Sequence, residues 1–335
     1  MTIDKTEGLT SIIVALITYN ISPVIYTQPH WMAILLVVTV LIIVEAKKPL
    51  FEFSKKIDSQ EYTTLAKFLV MAGVILPLLP DKPISTVLNF SPYKLWLAIV
   101  VVSGISYGSY ILKKFIFPNS GIVLSGILGG MYSSTATTFI LSKKSKELHE
   151  DKKISAAIIF ATSMMFVRIF ILALVFNKSI AFKLAPSFAI LFLLSVMIGL
   201  FFLRKSNIKS SNDKLTLSDS YGNPLEFKTA MVFGILFVFF AVLTGYVTKQ
   251  FGIDGIKILS FIVGVTDIDP FIINIFQSKF DLNEAILSMA VINAVTSNNI
   301  LKMVYALFLS SKSMRKNIII GFGIFNHCRN IGFVI

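Results

Sequence analysis

The sequence predicts an all-α, polytopic integral membrane protein of about ten or eleven transmembrane helices, and three observations support this fold class. Of its 335 residues, 55% are hydrophobic and only 15% are charged. The mean hydropathy is +0.79, and a soluble domain cannot bury so large an apolar fraction. The apolar residues also fall into runs close to the roughly 20 residues that a helix needs to cross a bilayer.

The expected spans follow one another along the whole chain and are separated by polar loops. The first is the weakest because it contains Asn20 and Pro23, and the last ends in the polar run NHCRN. The spans are expected at about 9–26, 30–46, 62–80, 94–112, 119–142, 154–176, 184–203, 228–250, 256–276, 285–309 and 317–335. Their number makes a multi-pass protein of the plasma membrane the expected localisation.

The net charge of +13 comes largely from lysines and arginines in the loops. Between apolar runs such residues determine topology and contact lipid headgroups, so nucleic acid is not expected as a partner. Basic loops fall on both sides, since 47–56 lies opposite to 143–153 and 204–228, and the orientation stays open. The expected partners are membrane lipids and an ion or small polar solute, with homo-oligomer formation left open.

A shift of the chain by 134 residues against itself brings similar segments together. GIVLSGILGG at 121–130 then lies over GIKILSFIVG at 255–264, and Arg168 lies over Lys302. A cation at the same place in both copies favours a duplication over chance similarity. The predicted organisation is N-terminal helices (1–93), a first three-span repeat (94–176), a linking span with a polar loop (177–227), a second three-span repeat (228–311) and a C-terminal hydrophobic segment (312–335).

Charged residues inside the expected spans predict a polar centre. Arg168 lies roughly 21 Å along its helix from Ile154, and Lys302 is similarly deep. A cation at that depth costs at least about 2.5 kcal/mol and needs a partner or water. Asp267 and Asp269 are the only acids well inside an expected span, and they lie at a matching level. We therefore expect the two acids and the two bases to neutralise one another in one polar core.

The motif GVTDIDP, at 264–270, predicts an interruption of the span 256–276. Pro270 has no N–H and its ring clashes with the carbonyl of Thr266, while Gly264 loosens the helix further. Exposed backbone groups at this depth are tolerated where they line a polar cavity, and interrupted helices commonly form substrate sites. The two acids of the motif are therefore expected at a substrate or ion site.

Hydroxyl and amide residues extend this site in the predicted duplication. The segment YSSTATT of the first copy aligns with the acidic motif of the second, and two asparagines precede Lys302 by four and three residues. Such side chains also bond back to their own helix or aid close packing, so a purely structural network stays open as an alternative. The candidate lining residues are Ser133, Ser134, Thr135, Thr137, Asn298 and Asn299.

Five segments occur in an order typical of one known family. They are GLTSIIVALITY (8–19), VILPLLPD (74–81), GGMYSSTATT (129–138), NPLEF (223–227) and GVTDIDP (264–270). Together they resemble the MgtC/SapB family, mainly the uncharacterised C-terminal multi-span domain of its larger members. The resemblance covers Gly8 to Ser311 and implies an integral membrane protein of prokaryotic type, with most of the N-terminal MgtC portion missing. It implies no settled activity.

The predicted function is a transporter or permease for an ion or small polar solute. The alternative is a regulatory or scaffolding membrane protein in which the buried charges are structural. The charge of the solute stays open, because the carboxylates suit a cation or proton and the bases suit an anion.

Enzymatic activity is not expected. An intramembrane aspartyl protease needs acids that face each other, and two acids two residues apart on one helix diverge. The sequence contains no Walker loop, His-Glu metal motif or nucleophile elbow, and its single cysteine, Cys328, offers no metal cluster. We therefore expect no cofactor and no resident metal.

Overall fold

The computed structural model describes residues 59–82, 90–118, 120–148, 150–204, 227–277 and 283–328, with scattered positions between 15 and 45. Helices account for nearly all of these residues, and the described ranges contain no strand, so the all-α prediction is confirmed. The chain forms two units, Met1–Leu65 and Ala66–Ile335, and the site described below belongs to the second. The expected spans at 9–26 and 30–46 lie largely outside the described residues.

The described residues form helices α1 to α10 in chain order. These are α1 (Ser59–Val70), α2 (Leu76–Leu78), α3 (Pro92–Ile111), α4 (Ile122–Leu148), α5 (Asp151–Phe176), α6 (Lys178–Arg204), α7 (Phe227–Val263), α8 (Ile268–Gln277), α9 (Glu284–Leu309) and α10 (Arg315–Cys328). A π-helical turn joins α1 to α2, and another extends α3 to Ile116. Polar caps begin two of the long helices: Ser91 Oγ accepts from Lys94 N–H before α3, and Asn283 Oδ1 accepts from Ala285 N–H before α9.

Several described helices are long and apolar enough to cross a membrane. They are Glu61–Leu78, Pro92–Ile116, Asp151–Phe176, Lys178–Arg204 and Ala230–Val263. The chain is therefore a membrane protein with several transmembrane helices. Helices α4 and α9 have 27 and 26 residues, which is length enough to cross, but polar residues lower their hydropathy. These two helices carry most of the candidate hydroxyl and amide side chains.

The described helices repeat with the shift of 134 residues. Helix α3 and its extension match the first part of α7, α4 matches the rest of α7 together with α8, and α5 matches α9. A non-helical residue divides α7 at Gly252, whose φ of 57° lies in the left-handed region that favours glycine. In α4, Ser133 is extended, with φ −159° and ψ 107°. Its equivalent in the second copy is Asp267, which lies in the gap between α7 and α8.

The expected interruption of the span 256–276 is this gap. Helix α7 ends at Val263, whose carbonyl accepts the Thr266 N–H at 2.8 Å, and α8 begins after four further residues. Pro270 stands in the first turn of α8, where backbone N–H groups have no partner within the helix. The proline therefore helps to begin the second half of an interrupted helix, whereas the sequence had suggested that it bends a continuous one.

Glycines let each interrupted helix approach the third helix of its own copy closely. A methyl group at Gly130 would lie 2.4 Å from Ala161 Cα, and one at Gly264 would lie 2.3 Å from Ser297 Cβ. Gly130 and Gly264 are equivalent under the shift of 134 residues. Such small residues allow helix backbones to pack closely in membranes, and here they fix the interruptions against α5 and α9.

Candidate functional site

Both interruptions open into one cavity of about 920 Å³, formed by α3, α4, α5, α7, α8 and α9. The first part of α7 contributes apolar side chains to the wall, whereas polar side chains concentrate at the interruptions. The polar lining residues are Ser103, Ser106, Tyr132, Ser133, Ser134, Thr135, Arg168, Thr266, Asp267, Asp269, Asn298 and Tyr305. Eight of the twelve residues that the sequence singled out, including Gly264 and Pro270, are among them.

Equivalent side chains cap the helix segments that restart after each interruption. Ser133 Oγ accepts a hydrogen bond from Ala136 N–H at 3.3 Å, and Asp267 Oδ1 accepts one from Asp269 N–H at 3.2 Å. Both are therefore N-caps, which supply a partner for a backbone N–H at the start of a helix. The cap is neutral in the first copy and acidic in the second.

Carbonyl groups freed at the interruptions are taken by the third helix of each copy. Arg168 Nη1, from α5, donates to Tyr132 O at 2.9 Å. Asn298 Nδ2, from α9, donates to Gly264 O at 3.1 Å. A backbone carbonyl at membrane depth must find such a partner, so these two side chains make the interruptions stable.

An ion pair joins the two copies across the cavity wall. Arg168 Nη2 lies 2.6 Å from Asp269 Oδ2, and each side chain is only 11% exposed. The pairing agrees with the sequence analysis, which placed the two residues at one depth. Losing one member of a buried pair leaves an uncompensated charge and typically costs about 3–5 kcal/mol.

The expected cluster of four charges does not form, because Lys302 is not part of it. Lys302 is fully buried and does not line the cavity. Its ammonium donates to Met165 Sδ at 2.9 Å and forms no ion pair with the described residues. Met165, from α5, does line the cavity, so its side chain takes up the Lys302 ammonium on the cavity side.

Asp267 differs from Asp269 in its surroundings. It is exposed, lines the cavity and accepts one hydrogen bond from the backbone N–H of Asp269. It forms no ion pair among the described residues. Of the two acids that the sequence predicted, Asp269 is bound within the protein, and Asp267 is available to the cavity.

Two of the candidate polar residues do not face the cavity. Thr137 is fully buried and lies outside the lining, as does Asn299. The Asn299 carboxamide oxygen has no hydrogen-bond partner among the described residues. Successive residues of a helix point about 100° apart, so Asn298 and Asn299 cannot both face one cavity.

Sequence reasoning missed several lining residues. Thr266 lies next to the acidic motif, and its Oγ1 donates to Val263 O at 2.9 Å, which leaves its lone pairs free. Ser103 and Ser106 come from α3, where serines three residues apart in an apolar span were the available signal. Tyr305, three residues after Lys302, completes the wall on α9.

Comparisons with known proteins match the part of the chain that contains this site. A family model described as a domain of unknown function (DUF4010) matches residues 100–310. An uncharacterized protein of Aquifex aeolicus (strain VF5) is 28% identical over 197 residues, which cover 58% of this chain and 84% of that protein. No solved structure matches the chain.

Proposed function

Since the chain belongs to the DUF4010 family, whose function is unknown, we propose from its geometry that it is a plasma-membrane transporter or permease for an ion or small polar solute. The observation that supports this most is the meeting of two interrupted helices at one cavity. In many transporters, discontinuous helices at corresponding positions of two repeats form the substrate site.

Charge placement gives the proposal its second support. Ionisable residues inside a membrane are costly and typically face a binding site or a water-filled passage. Here Arg168, Asp267 and Asp269 all line the cavity, while the surrounding helices are strongly apolar. A cavity of this size can hold a hydrated ion or a small polar solute.

The ion pair gives the copies a contact that a transport cycle can break and remake. Arg168 belongs to the first copy and Asp269 to the second. Movement of one repeat against the other around a fixed site is the usual form of alternating access. On this proposal the protein has no enzymatic activity and no cofactor, and its partners are membrane lipids and the solute, with homo-oligomer formation left open.

The second candidate is a regulatory or scaffolding membrane protein that transports nothing. One observation favours it: Arg168 bonds both Tyr132 O and Asp269, which ties α4, α5 and α8 together as a structural staple does. The resemblance to the MgtC/SapB family stays a prediction, because the matched family is described only by its unknown function.

Uptake into reconstituted liposomes tests the proposal. A panel of monovalent and divalent cations, protons and small anions is offered to a Cys328→Ser background. In this background Ser103→Cys places a thiol on the cavity wall, and Ser187→Cys places one on α6 outside it; both serines are half-buried. A charged methanethiosulfonate reagent, applied on both sides, is expected to block flux in Ser103→Cys alone, and reductant is expected to restore it.

Restoration by reductant shows that the protein stayed folded while it was blocked. Flux equal to that of empty liposomes for every solute in the panel would favour the scaffolding function. Flux that is blocked equally through Ser187→Cys would contradict the cavity as the pathway.

A further inference from the structure

We infer that the ligand of the cavity is a monovalent alkali cation and that Asp267, rather than Asp269, is its charged ligand. This inference rests on the proposed function for its physiological meaning, but the binding it describes is measurable without transport. It follows from the charges left over in the cavity wall, from the oxygen atoms that reach it and from the different surroundings of the two acids.

The first step is the charge of the wall. Among the described lining residues the ionised side chains are Arg168, Asp267 and Asp269. Arg168 is engaged by Asp269 at 2.6 Å and by Tyr132 O at 2.9 Å. One negative charge remains, on Asp267. A carboxylate that is removed from bulk water is stabilised by an opposite charge, and a single positive charge is what this wall lacks.

The second step is the set of oxygen atoms around Asp267. Ser134 is only 8% exposed, yet it lines the cavity, and its hydroxyl has no hydrogen-bond partner among the described residues. Asn298 is 3% exposed and donates through Nδ2 to Gly264 O, which leaves its carboxamide oxygen for the cavity. Thr266 Oγ1 uses its hydrogen on Val263 O and presents lone pairs. Carboxylate, carboxamide and hydroxyl oxygens are the ligands that hard cations prefer.

The helix ends agree with this assignment. The gap between α7 and α8 follows the C-terminal end of α7, where backbone carbonyls carry partial negative charge. In discontinuous transporter helices, unwound carbonyls and such C-terminal ends coordinate sodium ions or protons. The opposing N-terminal end of α8 is already neutralised by Asp269 in its first turn and capped by Asp267.

Other ligand classes fit less well. A divalent cation would leave one uncompensated positive charge beside Arg168. The described residues also contain no group of three or more His, Cys, Asp or Glu side chains that could hold a metal ion, which a calcium cage would typically use. An anion would add to the surplus negative charge, because the positive group of the wall is already paired.

Equilibrium dialysis with radioactive sodium, on the full chain in detergent, tests the inference. Asp267→Asn removes the charge but keeps an N-cap residue, so α8 is expected to remain folded. Sodium affinity should fall by roughly tenfold or more in this variant, since the principal charge partner of the ion is lost. Asp254→Asn is the matched control, because Asp254 lies in the same helix with its side chain 87% exposed; its affinity should stay within about twofold of the wild type.

A second readout uses stability. Sodium or potassium chloride should raise the unfolding midpoint above that in choline chloride of equal ionic strength, and Asp267→Asn should abolish the increase. Equal sodium binding by the wild type and Asp267→Asn would overturn the inference, as would stabilisation by magnesium or chloride in place of alkali ions. Proton flux that is indifferent to alkali cations would also overturn it.

The two proposals fail in different ways. Alkali-cation binding without flux in liposomes would leave this inference standing and remove the transport function. Flux of a solute through the cavity without alkali-cation binding would do the reverse.

Discussion

The two interrupted helices share one backbone design but carry opposite chemistry. In the first copy the cap, Ser133, is neutral, and the freed carbonyl is taken by a cation, Arg168. In the second copy the cap, Asp267, is an anion, and the freed carbonyl is taken by a neutral amide, Asn298. The duplication therefore preserved the positions that need a polar group and changed which of them is charged. Charge meets charge only between the copies.

The largest expected effect tests the charged contact between the copies. Arg168→Gln and Asp269→Asn should each lower the free energy of unfolding by about 3–5 kcal/mol, because each leaves an unpaired buried charge. The double variant should lose much less than the sum of the two. A double-mutant cycle from denaturant titration in detergent micelles measures this coupling.

The equivalent position of the second copy provides the contrast. Lys302→Met should be neutral or stabilising, because it replaces a buried ammonium held only by the Met165 thioether with an apolar side chain of similar length. A loss as large as that of Arg168→Gln would show that the two cations have equal roles and would break the comparison.

The next effect tests the feature that the copies share. Gly130→Ala and Gly264→Ala should each lower the free energy of unfolding by about 1–3 kcal/mol, because the added methyl meets backbone or side-chain atoms of the third helix. Gly108→Ala is the control, since nothing lies within 4 Å of its added methyl. It should be neutral or stabilising, because alanine favours helix over glycine. Tolerance of alanine at only one of the two positions would show that the packing is not shared.

The smallest effect concerns equivalent acids at helix starts. Glu150 pairs with Lys153 of the helix that follows it, at 3.1 Å, whereas Glu284 reaches Lys183 of α6, at 2.6 Å. Hydrogen bonds from Lys183 and then Ser179 lower the pKa of Glu284 below its ordinary value of 4.5. The stabilisation is therefore present above pH 4.5 and is lost as the pH falls through the lowered folded-state pKa.

Thermal unfolding of Glu284→Gln between neutral and acidic pH measures this contribution. The variant should be slightly less stable than the wild type at neutral pH, and the difference should vanish on acidification. Glu150→Gln is the control, since its partner lies one turn away in the chain. A difference for Glu284→Gln that is independent of pH would contradict the role of the carboxylate charge.

The helices and the ion pair could be predicted from the sequence because both depend on quantities that a sequence contains. Hydropathy gives the position of each span, and the rise of a helix per residue places Arg168 and Asp269 at one depth. The gap at Gly264 was also predictable, since glycine and proline mark it.

The interruption at Ser133 and the position of Lys302 could not be predicted in this way. Serine adopts an extended conformation as readily as a helical one, so Ser133 has no compositional mark comparable to that of Pro270. Depth along a helix does not fix its rotation about its own axis. Lys302 is at the expected level but points to Met165, and Thr137 and Asn299 point away from the cavity for the same reason.

Arg168 holds the two halves of the molecule through different nitrogen atoms. One bonds the backbone of its own copy, and the other bonds an acid of the opposite copy. Hydrogen bonds weaken steeply within about an ångström of their preferred length, so one rigid, planar group keeps both only at a single separation of the halves. The guanidinium thus acts as a strain gauge built into the protein, and a lysine there could not report the same displacement.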